Sequence, residues 1–173
     1  EGGSTIEFWV QPDWTADPGY DPVVLSNAGP DGPLYLVALL RDRDGLGVMI
    51  GEQSAIAAFD FTDGKMHHVA IIDDGTSVAM LVDGSPVGIA EITAKASQSA
   101  GFWIGSSDGQ NAPFIGAIAG LRLWDVAVGP ALLKEFATVD IIANRKKTHP
   151  ELNWLIGFSD FTNKDFVLLE YEN

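Results

Sequence analysis

Residues 102–125, FWIGSSDGQNAPFIGAIAGLRLWD, decide how the chain reads. Phe102, Trp103 and Ile104 form a short apolar run of strong β propensity. Gly105-Ser106-Ser107-Asp108-Gly109-Gln110-Asn111 follows as a run of turn formers. From Phe114 the chain alternates. Phe114, Gly116, Ile118, Gly120, Arg122 and Trp124 are expected on one face, and Ile115, Ala117, Ala119, Leu121 and Leu123 on the other. A period of two predicts a strand, and its glycines predict a bend or a close backbone approach. The segment is therefore strand, polar loop, strand. The loop gathers the oxygen-bearing side chains of Asp108, Gln110 and Asn111 within a few residues, which makes it the first candidate site. The competing reading is an ordinary solvated turn.

Outward from this segment the same grammar repeats. Ser4 to Gln11 alternates, with Ile6, Phe8 and Val10 facing one way and Thr5, Glu7 and Trp9 the other, which predicts a half-buried strand. Pro12 to Pro22 is a proline-rich loop carrying Trp14 and Tyr20. Those aromatics either stack on sugar rings or fold back as a lid on the core. Val23 to Leu25 is a short strand, and Ala28 to Pro33 a tight turn. Leu34 to Leu40 and Leu46 to Ile50 read as a hairpin signalled by Asp44-Gly45. Ala55 to Phe61 is a further strand; Lys65 to Ile72 and Thr76 to Val82 make a second hairpin, and Val87 to Ile92 follows. Strands separated by frequent turn signals predict an all-β sandwich. His67 and His68 point to opposite faces of one strand, so they cannot share a metal and are read as packed or surface histidines. Asp73, Asp74 and Asp83 are of the type that holds a cation, but turn chemistry explains them without one. Gly129-Pro130 opens a helix over 131–137, with Leu132, Leu133 and Phe136 at helical spacing. Leu152 to Phe158 and Phe166 to Tyr171 close the chain as strands.

Composition narrows the function classes. The 173 residues predict one domain, 1–173, large enough for a real core. With 24 acidic and 10 basic residues the formal net charge is −14, which disfavours nucleic acid and anionic membrane faces as partners. The basic run Arg145-Lys146-Lys147 is too short to reverse that. The acidic excess leaves oxygen-ligand cation sites open. The absence of cysteine excludes disulfides and thiolate metal sites. No apolar run approaches the roughly 18–20 residues of a membrane helix. No signal peptide is visible, and the start at Glu1 without Met suits a processed form or an excised piece.

Four segments, taken in order, resemble the laminin-G-like and pentraxin-like family of concanavalin-type jelly rolls. STIEFWVQP (residues 4–12) resembles the family's opening strand. MHHVAIIDDGTSVAMLVDGSPVG (66–88) resembles its hairpin, with Met66 in place of a tryptophan. FWIGSSDGQNAPFIGAIAGLRLWDVAVGP (102–130) resembles the segment that ends in a Trp-Asp or Trp-Asn pair and a short helix. ELNWLIGF (151–158) resembles the closing strand. The resemblance implies an all-β jelly roll of two antiparallel sheets with one short helix, and variable loops on one rim. It implies binding of carbohydrate, lipid headgroups or protein, often beside calcium, and a secreted or extracellular setting. It leaves homo-oligomerisation open.

The pentraxin calcium site carries over only in part. The family's Asp-Asn pair is Asp31-Gly32 here. Its Gly-Gln-Glu-Gln-Asp run is Gly105-Ser106-Ser107-Asp108, one residue shorter and without the glutamate. Calcium takes six to eight oxygens, so the resemblance implies at most one ion, held by Asp31, Asp108 and Asn111 with help from Ser107 and Gln110. Two ordinary turns are the competing reading. Jelly-roll glycoside hydrolases need two carboxyl groups about 5–5.5 Å apart on one strand face. No such array occurs, nor a nucleophile elbow, a zinc-protease motif or a phosphate loop. The expectation is a non-catalytic, lectin-like carbohydrate-binding module, calcium-assisted in one form, with Trp14, Tyr20, Ser107 and Gln110 at the ligand. The alternative is a protein-interaction or adhesion module of a larger extracellular or toxin-like assembly.

Overall fold

A computed structural model of the chain describes residues 3–29, 32–42, 44–94, 101–137, 152–156, 159–161 and 167–170. In chain order the strands are β1 (Ser4–Pro12), β2 (Val23–Gly29), β3 (Gly32–Leu39), β4 (Gly45–Ile50), β5 (Gln53–Ala58), β6 (His67–Asp73), β7 (Ser77–Val82), β8 (Ser85–Glu91), β9 (Gly101–Ile104) and β10 (Gly116–Trp124). Helix α1 (Pro130–Phe136) follows, and then β11 (Leu152–Ile156), β12 (Ser159–Phe161) and β13 (Val167–Glu170). One antiparallel sheet runs β11-β10-β1-β6-β7-β8, with β12 also paired to β10; the other runs β13-β9-β2-β3-β4-β5. This is the expected two-sheet sandwich with one short helix. The basic run Arg145-Lys146-Lys147 lies outside the described residues.

Alternation builds the core between the sheets. Ile6, Phe8 and Val10 of β1 meet Val69 and Ile71 of β6, and across the gap Val37 and Leu39 of β3 and Leu46, Val48 and Ile50 of β4. Each such side chain contributes about 1.5–3 kcal/mol when fully buried. The expected strand Val23–Leu25 is longer than read. Its ladder with β3 runs on to Ala28↔Pro33 and Gly29↔Gly32, where a turn was expected; Pro30 and Asp31 lie outside the described residues. β12 was not foreseen, because three residues are too short a segment to show a period.

The largest departure lies on the second face of β1. A half-buried strand was expected, yet Thr5 is 1% and Glu7 0% exposed. The cover is α1. Leu133, with Leu132 beside it, packs on Ala70, Ile72, Leu81 and Trp124, on the outer face of the sheet. Pro130 occupies the first turn and lacks the N–H that a helix start leaves unpaired. Thr5 Oγ1 donates to the Val126 carbonyl at 2.9 Å and accepts from the Val128 N–H at 2.9 Å, which pins the approach to the helix onto β1.

Under this cover Glu7 is the hub of a polar network. Its Oε1 accepts from Arg122 Nη1 at 2.8 Å and from Trp124 Nε1 at 2.9 Å; its Oε2 accepts from His68 Nε2 at 2.8 Å. His68 Nδ1 is buried and meets no partner. The Trp9 ring, with centroids 5.3 Å apart, packs on the imidazole.

The network depends on a frame shift in β10. Arg122 and Trp124 were expected on the face of Phe114 and Ile118. Instead Phe114, Ile118, Leu121 and Leu123 all enter the core, and Arg122 and Trp124 turn outward to Glu7. The cause is a β-bulge opposite Phe8: Glu7 pairs with Arg122 but Trp9 pairs with Ala119. Gly120 sits there at φ 57°, a left-handed conformation that glycine adopts without penalty.

Removing the hub's charge takes the carboxylate away from the buried Arg122 guanidinium. Glu7→Gln is expected to lower the unfolding free energy by about 3–5 kcal/mol, measured by urea titration. The double variant Glu7→Leu/Arg122→Met is expected to lose less than Glu7→Gln alone.

Candidate functional site

At one rim of the sandwich three loops meet. The 13–22 loop is tied to the segment before β10 by Asp13 N–H donating to Ile115 O at 2.9 Å, and by Tyr20 Oη donating to Pro113 O at 3.1 Å. The loop between β5 and β6 is tied to β1 by Gln11 Nε2 donating to Gly64 O at 2.7 Å. Between these elements opens a cleft of about 670 Å³, lined by Gln11, Asp13, Trp14, Thr15, Thr62 and Gly64 over a floor of Ile115, Gly116 and Ala117. Trp14 packs against the main core and also lines this cleft. The lid and the ligand-facing readings of that residue are therefore compatible.

The β5–β6 wall is braced by an unusual histidine. His67 Nδ1 lies 2.7 Å from Asp83 Oδ2, and Nε2 lies 3.0 Å from Asp63 Oδ1. A neutral ring would aim a lone pair at one of those carboxylates, so the imidazolium fits the geometry. Burial opposes the charge, but the hydrogen bonds and fields of Asp83 and Asp63 outweigh it and raise the His67 pKa. Asp63 also receives Lys65 Nζ at 2.9 Å and the Lys65 N–H, and its carboxyl is held well below the usual range. Phe59 and Phe61 pack edge-on against the imidazole at 4.9 and 5.8 Å. Both histidines are packed, on opposite faces, as the sequence suggested. Asp74 accepts from Thr76 and Ser77, which brings its pKa to about 2.

The polar loop after β9 is a tightly folded turn. Asp108 Oδ1 accepts the N–H groups of Gln110 and Asn111, and Oδ2 accepts Asn111 Nδ2 at 2.6 Å. These bonds, the Asn111 side chain first, depress the Asp108 pKa. Ser107 Oγ donates to the Asn111 carbonyl at 3.1 Å. Gly109 adopts φ 82° with its Cα against the Trp103 ring; a Cβ there would lie 2.8 Å from Trp103 Cζ3. The loop thus folds back over the outer face of β9. Asp108 and Asn111 are brought together, while Asp31 lies outside the described residues. The donors are hard oxygens of the kind calcium takes, with Asp108 as the carboxylate among them. Among the described residues no group of three or more His, Cys, Asp or Glu is gathered for a metal.

The ligand candidates do not form one constellation. Trp14 lines the large cleft, whereas Tyr20 lines a separate cleft of about 390 Å³ with Asp21, Leu40, Arg41 and Asp42. Ser107 and Gln110 border neither cleft. Sequence reasoning missed Gln11, Asp13, Thr15, Thr62 and Gly64. They come from two segments about 50 residues apart, and no local spacing signals that they meet.

A family model described as the Concanavalin A-like lectin/glucanases superfamily matches residues 1–133. No curated protein matches the sequence. Among solved structures, a candidate carbohydrate binding protein from Bacteroides ovatus aligns with TM-score 0.70 at 17% identity, over 99% of this chain and 54% of that one. The chain thus spans about half the length of that protein. The heptameric SAP-like pentraxin from Limulus polyphemus aligns with TM-score 0.70 at 15% identity, over 97% of this chain and 82% of that one. The CBM40 of the Ruminococcus gnavus IT-sialidase, bound to α2,3 sialyllactose, aligns with TM-score 0.62 at 12% identity, over 78% of this chain and 82% of that one. At these identities the likeness concerns the fold, which matches that of non-catalytic carbohydrate-binding modules.

The folded His67 pKa is raised above its ordinary 6.5. Its contribution to stability is therefore complete below about pH 6.5 and is lost as pH rises through the folded value. His67→Gln is expected to lower Tm most at pH 5.5, with the gap to the parent narrowing towards pH 9 in parallel thermal melts. Gly109→Ala, strained at positive φ and against the indole, is expected to destabilise by about 1–2 kcal/mol.

Proposed function

Because the chain belongs to the Concanavalin A-like lectin/glucanases superfamily, we propose that it is a non-catalytic carbohydrate-binding module that seats a neutral glycan in the Trp14 cleft. The observation that carries this reading is a partly exposed indole beside hydroxyl, amide and carboxylate groups on the rim. The apolar C–H face of a pyranose stacks on such a ring while its hydroxyls exchange hydrogen bonds with the flanking polar groups. The size of the cleft suits a short oligosaccharide. Among the described residues Asp13 is the charged member of the lining, and no Lys or Arg contributes to it. Together with a net charge of −14, this favours neutral sugars over acidic ones such as sialyllactose, the ligand of the Ruminococcus gnavus module. An extracellular setting belongs to the same proposal.

In the calcium-assisted form of this reading, Asp108 and Asn111 hold the ion with Asp31, and Ser107 and Gln110 lie near the ligand. Its support is the pairing of Asp108 with Asn111. The protein-interaction alternative is favoured by a different surface, the apolar outer face of the β13–β5 sheet.

A glycan array tests these readings in one experiment. The parent is expected to bind neutral oligosaccharides and to ignore their sialylated versions. Trp14→Ala is expected to lose at least tenfold in affinity while keeping the parent's cooperative melt. Loss of binding on adding chelator, reproduced by Asp108→Asn, would implicate calcium; binding indifferent to chelator would remove it.

A further inference from the structure

The outer face of the β13-β9-β2-β3-β4-β5 sheet goes beyond the glycan reading. Tyr35, Val37 and Leu39 of β3 point into the core, so Leu36 and Ala38 point outward. The register aligns Leu36 with Met49 and Ala38 with Gly47, then Met49 with Ser54 and Gly47 with Ile56. A row of large side chains, Leu36 and Met49, therefore flanks a row of small ones, Ala38 and Gly47. On the other side Leu40 leans over the glycines: a Cβ on Gly47 would lie 3.2 Å from Leu40 Cδ2. The result is a trough of about 290 Å³ across the strands, ending at Ile56, which is 68% exposed.

The trough has one charged end. Asp21 and Leu40 line both it and the adjoining cleft that holds Tyr20, Arg41 and Asp42. Asp42 hydrogen bonds to Asp44 and, with the field of Asp60 adding to its own, raises the Asp44 pKa. Arg41 also lines this end, and its backbone N–H donates to the Asp21 carboxylate. Among the described residues, Asp21 and Asp42 line this end beside Arg41, and Asp44 lies close to Asp42 and Asp60, while Arg43 lies outside the described residues.

We propose that this trough docks a basic amphipathic helix supplied by a partner protein, with its apolar stripe on Leu36, Met49 and Ile56 and its cationic flank on Asp42 and Asp44. The chain itself shows the matching solution on the opposite sheet, where α1 covers the apolar outer face with Leu132 and Leu133. A second copy of this chain is a poor occupant, because each copy carries a net charge of −14. A glycan is a poor occupant too, since the trough offers Ser54 and Asp21 as its polar side chains. Helix-in-groove recognition uses anchors at i, i+3, i+4 and i+7, and opposite charges on the rim speed and orient encounter.

The test is fluorescence anisotropy with a labelled 14-residue helix carrying leucine at that spacing and lysine elsewhere. The parent is expected to bind this helix and not its glutamate counterpart. Ile56→Asp is expected to weaken binding at least tenfold, and Met49→Gln, which keeps the size, at least threefold. Ile89→Asp changes an isoleucine of similar exposure, 74%, on β8 of the other sheet and is expected to stay within twofold of the parent. Asp42→Asn/Asp44→Asn is expected to weaken binding at low salt and to converge with the parent at high salt. No binding by the parent, equal losses from Ile56→Asp and Ile89→Asp, or equal binding of the glutamate helix would overturn the proposal.

Discussion

Glu7 carries its charge where water has no access, and the sandwich is assembled so that this charge is answered. Its oxygens receive a guanidinium from β10, an indole N–H from the end of the same strand and an imidazole from β6. One carboxylate therefore fixes three neighbouring strands to a single register. A slip by one residue would turn Glu7 into the apolar space between the sheets and away from Arg122. Apolar packing alone tolerates neighbouring registers better, because one aliphatic side chain substitutes for another with modest loss. The polar hub thus adds specificity to a core whose stability comes from burial.

Most of the fold was legible in the sequence. The hairpins over 34–50 and 65–82 announce themselves by alternation and by Asp-Gly pairs, and the helix by Gly129-Pro130. What the sequence concealed has physical reasons. Alternation is blind to a bulge, so the outward turn of Arg122 and Trp124 could not be read from residues 114–124; Gly120 marked a bend without saying how the frame would move. Alternation is equally blind to what lies over a strand's second face. Thr5 and Glu7 look solvent-facing until side chains and backbone of residues 122–128, more than 110 positions later, meet them.

The candidate site was less legible. Trp14 was visible as an aromatic in a polar loop, but its neighbours Thr62 and Gly64 reach it only through the sheet order. The Asp-His-Asp brace behind that wall spans 63, 67 and 83, and each residue taken alone reads as a turn or strand residue. Asp108 and Asn111 were correctly placed near one another, because a turn confined to a few residues is a local property. The outer trough left no signature that spacing could reveal, since its floor is made of Ala38 and Gly47, two residues notable only for being small.

The position of β1 has a consequence for how the chain acquires its structure. Of the described strands, β1 comes first in the sequence yet lies in the interior of its sheet, between β6 and β10, and Thr5 pairs with Trp124, 119 positions further on. Pairings this distant must close large loops before contacts repay the lost chain entropy, and such topologies fold slowly. During synthesis the apolar face of β1 waits, unpaired on the β10 side, until most of the chain has emerged. The hairpins of 34–50 and 67–82 close early and locally; β1, made before them, is among the last to be enclosed.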